Sequence, residues 1–367
     1  MTAGRYVFWI IMVAVWLVVL SVVQIPLRRK RSLPLRIIIL AVKVISGILL
    51  AFVLVALYIE PIFRFEIPLA ALYVALFGES AGDLLHLIFV RSKNKNRNRL
   101  HFLLGVICTA AYMIYGTVNM QTVTADHFTV TSAKLDKPYK FVFVSDLHVG
   151  SAQSMSTTEN TIRRINEENA DFVVLGGDIV DIRTTGEEME KTFSLIGEIE
   201  APVFYIYGNH DRQRDYDHVA KKTFTEEELE STILSNGIRI LRDEWISFSE
   251  DLVIFGREDA FAPERKKIDE IEKWPEDKFV LLADHSPYEK SDIIASKADL
   301  QVSGHTHAGQ LFPLQWVYRL LGYEAYGWFR HGDTQLYVSS GAAGWNYPFR
   351  TEAGCHYDVI SILPENM

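Results

Sequence analysis

The sequence predicts two parts in tandem: an all-α transmembrane region over residues 1–120 and an α/β domain over residues 139–367, joined by a linker at 121–138. Three observations carry this division. Charge is segregated, with 13 Lys/Arg against 4 Asp/Glu in residues 1–120 and 24 against 42 in residues 121–367. Apolar runs of bilayer length fill the first part. In the second part, short apolar strands punctuated by glycine alternate with helices, which suggests an α/β or mixed sandwich.

Composition excludes several classes. Apolar residues make up 49% of the chain and aromatics 12%, enough to support a core and to exclude intrinsic disorder. The acidic second part lacks the clustered Lys/Arg that duplex nucleic acid requires. The two cysteines, Cys108 and Cys355, lie far apart, so there is no disulfide framework or cysteine zinc site.

Four spans are expected, at 6–25, 37–59, 68–90 and 100–120. The first is followed by Arg28, Arg29, Lys30 and Arg31 rather than by a small-residue cleavage site, so it reads as a retained helix. The second is interrupted by Lys43. The third contains Glu79, Asp83 and His86, spaced to share one helix face. Such a face is either a functional polar site or a surface buried against neighbours and satisfied by hydrogen bonds. No matching polar face is visible on the other spans, which favours the second reading. The links 27–36 and 91–99 each carry five Lys/Arg. Positive links stay in the cytoplasm, so four spans put both termini and the acidic domain outside it.

The soluble part opens with an apolar strand at Phe141–Ser145 and an amphipathic helix at Thr157–Asn169. Strands follow at Phe172–Leu175, Val203–Tyr207, Leu252–Phe255, Phe279–Leu282, Leu300–Val302, Leu336–Val338 and Val359–Ile362. Glu264–Lys278 reads as a solvated helix and loop. What ends the strands is informative: Asp146, His148, Asp178, Asn209, His210, His285, His305 and His307 all fall at or just after an apolar run. Strand ends are where sheet enzymes gather side chains from distant positions. Carboxylate, amide and imidazole donors suit Mn, Fe, Zn or Mg.

The blocks Asp146-Leu-His148, Gly177-Asp178-Ile-Val-Asp181, Gly208-Asn209-His210-Asp211, Asp284-His285-Ser-Pro287 and Gly304-His305-Thr-His307 resemble, in this order, those of the calcineurin-like metallophosphoesterases. Ala308-Gly309-Gln310 and Val338-Ser339-Ser340-Gly341 look most like the bacterial membrane-anchored branch. Trp345-Asn346-Tyr347-Pro348 departs from the Trp-Gly-Pro-Pro-type segment usual there. The resemblance implies a four-layer α-β-β-α sandwich and two divalent metals, manganese first, with Fe, Zn or Mg as alternatives. Asp146, His148 and His307 would bind one metal and Asn209, His285 and His305 the other, with Asp178 bridging them. Two cations so placed bind phosphate oxygens and lower the pKa of a water between them. His210 would serve the leaving oxygen or the developing charge, oriented by Asp211. Asp181 is either a group supporting a ligand or a solvated helix-start residue. Arg350 is either a phosphate contact or a surface salt-bridge residue.

The expectation is therefore an extracytoplasmic, membrane-anchored hydrolase of a phosphodiester or pyrophosphate, with a lipid-borne or envelope-linked substrate. The alternatives are a phosphomonoesterase or phosphoprotein phosphatase, a non-catalytic scaffold, and a transporter or sensor centred on residues 1–120. Residues 311–329 are rich in aromatics with polar edges, which favour the membrane–water interface. Trp316 and Trp328 are the expected contacts to an acyl or prenyl chain. The competing reading packs these rings onto the sheet as core.

Overall fold

The computed structural model describes residues 3–28, 33–56, 60–89, 97–214 and 222–365. Helices α1 (Ala3–Arg28), α2 (Leu33–Ala56), α3 (Glu60–Phe89) and α4 (Arg97–Gln121) form the N-terminal region. Stretches Leu33–Leu54, Glu66–Phe89 and Leu100–Gln121 are long and apolar enough to cross a membrane, and α1 contributes a shorter apolar stretch, Val7–Ser21. Most of the two basic links lies outside the described residues.

The polar face of α3 is buried and paired. Glu79 accepts from Ser21 at 2.9 Å and from Lys43 at 3.1 Å. Asp83 accepts from Lys43 at 2.7 Å and meets His101, and His86 lies 2.9 Å from Arg36. The expected satisfaction by hydrogen bonds holds. No other helix presents a matching face, as expected; the partners are isolated polar residues, Ser21 of α1, Lys43 and Arg36 of α2 and His101 of α4.

The other half of the bundle packs against the two-sheet domain that follows. Trp9, Val13, Ala51, Leu54, Ile67 and Tyr73 are buried in one cluster with Leu311, Leu314, Tyr347 and Phe349. The Phe349 ring lies 5.6 Å from Trp9 and 5.4 Å from Tyr112. Phe52 and Tyr112 stand nine and eleven residues from Lys43 and His101, or about 14 and 17 Å of helical rise. The polar network and the contact with the two-sheet domain therefore occupy opposite halves of the helical region.

The remainder is a two-sheet sandwich. Its strands are β1 (Val123–Ser132), β2 (Tyr139–Val144), β3 (Phe172–Leu175), β4 (Val203–Tyr205), β5 (Arg239–Ile240), β6 (Glu244–Ser247), β7 (Leu252–Gly256), β8 (Phe279–Ala283), β9 (Leu300–Ser303), β10 (Gly327–His331), β11 (Thr334–Val338) and β12 (Cys355–Pro364). Its helices are α5 (Met155–Glu167), α6 (Gly186–Ile196), α7 (Glu226–Ser235), α8 (Lys290–Ser296) and α9 (Leu314–Leu320). One sheet runs β1-β12-β2-β3-β4-β5 and the other β10-β11-β9-β8-β7-β6. Phe141, Phe143, Ile254, Leu281, Val302 and Ile360 fill the space between them. Alternate residues Val142, Val144, Val173 and Tyr357 face the helical layer with Ile162, Ile165 and Phe193.

The linker expected at 121–138 is corrected, since it contains β1. This β-branched stretch pairs in parallel with β12 over ten residues, from Val123↔Cys355 to Ser132↔Pro364. Its partner lies more than 200 residues away, and its own burial alternates only weakly. In Glu264–Lys278, the expected helix is a single turn at Ile268–Glu270.

Candidate metal centre

The strand-end blocks converge between the C-terminal ends of the two sheets. Their backbone is unusual: Asp146, His148, Asp178, His305 and His307 all have φ between 41° and 71°. Left-handed non-glycine residues cost roughly 1–2 kcal/mol each, and they concentrate at functional sites. Glycine lets the chains approach closely enough to aim these side chains inward. A methyl group on Gly304 would fall 2.3 Å from Asp146 Oδ2, and one on Gly208 would fall 2.3 Å from Asp178 Oδ1.

Two groups of ligand-type atoms result. In the first, donor atoms of Asp146, His148 and His307 lie within 4.8 Å of one another, and in the second, those of Asp178, His285 and His305 do. His148 Nε2 stands 3.8 Å from Asp146 and 3.6 Å from Asp178 Oδ2, which is also 3.2 Å from His285 Nε2. The Asp178 carboxylate thus sits between the two groups. Asn209 joins the second, its Oδ1 2.8 Å from His305 Nδ1.

The donor set fits a pair of divalent cations. Asp181 Oδ2 holds His148 Nδ1 at 2.7 Å, while His148 Nε2 is buried, has no hydrogen-bond partner among the described residues and is aimed at Asp146 and Asp178. Carbonyl oxygens of Gly176 and Ala343 hold Nδ1 of His285 and His307 at 2.8 and 3.2 Å, again turning Nε2 inward. Asp181 is therefore a support for His148 rather than a solvated residue. Burial lowers His305 to about 3 and His307 to about 4, which leaves neutral imidazoles with lone pairs to share. Burial also opposes charge on His285, but the facing Asp178 outweighs it and holds this imidazole up to about 10. Burial opposes charge on Asp146 and Asp178 too, and the surrounding imidazoles outweigh it to keep both below the usual carboxylate range.

Three expectations are corrected. Asp211 directs both carboxylate oxygens at backbone N–H groups. Its Oδ2 accepts the N–H groups of Asp178 (2.8 Å) and Gly208 (2.7 Å), and its Oδ1 those of Ile179 (2.9 Å) and Val180 (3.1 Å). It ties two ligand-bearing loops together. His210 instead packs between the rings of His148 and Trp345, at 5.2 and 5.3 Å, and burial lowers its pKa. Arg350 is neither a phosphate contact nor a surface residue. It is 0% exposed, and its guanidinium donates to the carbonyls of Ala353, Ala343, His307 and Ser340 at 2.6–3.0 Å. It braces the His307 loop, because a buried Arg needs acceptors on every donor.

The third correction concerns the aromatic segment. Trp316 and Trp328 do not line the cavity over the ligand-type side chains. Trp328 stacks near Phe128 and Tyr337, at 5.6 and 4.8 Å, as packing. Trp316 is 68% exposed on α9, which packs against α2. The segment's cavity-lining rings are Tyr318 and Tyr323. The cavity, of about 720 Å³, reaches from Asp178, Asn209, His210 and His307 to Phe52 of α2. Asp259, Arg212 and Arg214 also line it and were not anticipated. Asp259 had a usable signal: it closes Arg257-Glu258-Asp259, directly after the apolar strand β7. Burial pushes its carboxyl up to about 6.

Residues 139–309 match the family model described as calcineurin-like phosphoesterase. An "Uncharacterized metallophosphoesterase" of Helicobacter pylori is 32% identical over 240 residues, covering 64% of this chain and 62% of that protein. A Danio rerio "Transmembrane protein with metallophosphoesterase domain" is 26% identical over 285 residues, covering 67% and 59%. "Phosphodiesterase YaeI" of Escherichia coli is 28% identical over 179 residues, covering 47% and 62%. The chain thus spans less than two thirds of the length of each of these relatives.

Proposed function

The chain carries a calcineurin-like metallophosphoesterase domain behind a membrane-associated helical region, and from that premise we propose that it hydrolyses a phosphodiester or pyrophosphate borne by a lipid-linked substrate at a dinuclear metal site. The observation that carries this reading is the cavity. One wall holds the ligand-type side chains, and another holds Phe52 of a membrane helix beside Tyr318, with ring centroids 6.4 Å apart. A phosphate at the ligands would leave its apolar chain next to the membrane helices. Exposed Phe312, Trp316, Leu320, Leu321 and Tyr323 continue that apolar surface outward.

Asp146, His148 and His307 would hold one cation, and Asn209, His285 and His305 the other, with Asp178 shared. Bound there, the two cations would supply Lewis-acid charge for phosphate oxygens and a water of lowered pKa. The protein's own part is orientation. Asp181, Gly176 and Ala343 fix the imidazole tautomers. Asp211 fixes the loops. His210, kept neutral by burial, offers an N–H to a phosphate or leaving oxygen. The name of the Escherichia coli relative supports a diester, and that of the Danio rerio relative supports a membrane setting.

Orientation follows from the helical region. Arg36 pairs within the half opposite the catalytic domain, and the basic links adjoin that half in sequence. Positive links stay inside, so the catalytic domain lies outside the cytoplasm. The test is hydrolysis by the purified chain with Mn²⁺, comparing a lipid-linked diphosphate, a soluble diester and a soluble monoester. The paired substitution Tyr318→Ser with Tyr323→Ser should cut lipid-linked hydrolysis at least about tenfold while sparing the soluble diester, a difference of about 1.4 kcal/mol. Equal losses on both substrates would remove the lipid assignment.

A further inference from the structure

A second polar cluster stands apart from the ligands above. Strands β1 and β12 run parallel with Asp126 opposite Asp358 and Thr124 opposite His356. Side chains alternate along a strand, so Asp126, His356 and Asp358 share one face. That face looks toward the second sheet, as does Ile360, which is buried among the inter-sheet residues. Two carboxylates side by side at the rim of an apolar layer repel each other and lose hydration, so the arrangement requires a positive partner.

The protein supplies little of that partner. His356 Nδ1 lies 3.4 Å from Asp126 Oδ2, and its Nε2 lies 3.3 Å from Asp358 Oδ1. Tyr337 donates its hydroxyl to Asp358 Oδ1 at 2.7 Å, and Ser340 Oγ lies 3.1 Å from His356 Nδ1. Asp358 is 0% exposed; the Ser339 hydroxyl stands beside its carboxylate, but its Oδ2 has no hydrogen-bond partner within 3.5 Å among the described residues. The nearby Arg350 guanidinium is spent on backbone carbonyls, as described above. A fully buried carboxylate oxygen without a donor is the kind of group that an ion satisfies.

We propose that Asp126, His356 and Asp358 form a third divalent-cation site, separate from the catalytic pair. One donor atom from each of the three lies within 4.8 Å of the others. Two carboxylates and one imidazole suit Zn²⁺, Mn²⁺ or Fe²⁺ rather than a soft ion. The Asp126 side chain, 38% exposed, gives an entry path. The Tyr337 hydroxyl orients Asp358 from outside the triad. The site shares no residue with the catalytic groups but is joined to them through the chain. The His356 N–H donates to the Gly341 carbonyl at 3.1 Å, and Gly341 backs directly onto Asp146. The competing arrangement is a proton on Asp358, whose carboxyl burial pushes up to about 7.

The test counts ions. Full-length chain in detergent is stripped with chelator, reloaded with Zn²⁺ or Mn²⁺, freed of excess and analysed for metal per chain by mass spectrometry. The expected result is three equivalents for the parent and two for each of His356→Gln and Asp126→Asn. Saturation of the parent at two, or three equivalents retained by both variants, overturns the proposal and leaves the proton on Asp358. If the variants do not fold, crystals of the Zn²⁺-loaded parent decide the matter. Anomalous scattering at the zinc edge among the three side chains is expected, and its absence there overturns the site.

Discussion

Asp211 offers the sharpest test of how the ligand loops are held. Its carboxylate accepts four backbone N–H groups at 2.7–3.1 Å from two different loops. Asp211→Asn keeps one acceptor oxygen and turns an NH₂ group toward two buried N–H donors. Burial and the nearby Asp178 push the Asp211 carboxyl up to about 7, while the four N–H groups favour its charged form; above that pH, hydrogen bonds to the charged group are worth about 1.5–3 kcal/mol each. Losing two therefore costs about 3–6 kcal/mol, a large share of the roughly 5–15 kcal/mol that stabilises a domain. At about 2–4 °C per kcal/mol for a domain of this size, the melting temperature should fall by roughly 6–24 °C. The assay is thermal unfolding of the full chain in detergent, read by tryptophan fluorescence, with metal content measured in parallel. Turnover should fall as well, because Asp178 and Gly208 are two of the four anchored peptides. A variant that melts within about 2 °C of the parent yet turns over slowly would refute this reasoning and return Asp211 to orienting His210.

Three further outcomes are expected. Gly304→Ala should destabilise by about 1–3 kcal/mol through overpacking and lower metal occupancy, since its methyl would meet Asp146 Oδ2; unchanged melting and metal content would contradict the close approach. Because Asp178 holds His285 up to about 10 in the metal-free protein, a cation must displace that proton near neutral pH, so metal affinity should weaken as pH falls. Calorimetric titration in two buffers of different ionisation enthalpy should reveal proton release, and identical heats would count against it. A reporter active only outside the cytoplasm should work when fused at the C-terminus, and one fused after Lys95 should read cytoplasmic; the reverse pattern would invert the proposed topology.

The sequence by itself pointed to the side chains that the fold gathers between the two sheets. Each of Asp146, His148, Asp178, Asn209, His285, His305 and His307 follows a short apolar run, and the end of a strand is a local property that spacing and hydropathy reveal. The same signal would have reached Asp259. What only the tertiary structure decided is what faces what. Whether Asp211 meets an imidazole or four peptide N–H groups depends on how two loops close on each other. The burial of Arg350 depends on carbonyls brought together by the His307 and Ser340 segments, and the pairing of Glu79 and Asp83 on lone polar residues from three other helices. Strand β1 was hidden for the same reason. Its alternation is weak, and its identity as a strand comes from hydrogen bonds to β12, more than 200 residues away, which also place Asp126 beside Asp358. Local pattern encodes element type because burial periodicity is short-range. Partner identity is a long-range result of sheet order and helix packing, and no window of sequence contains it.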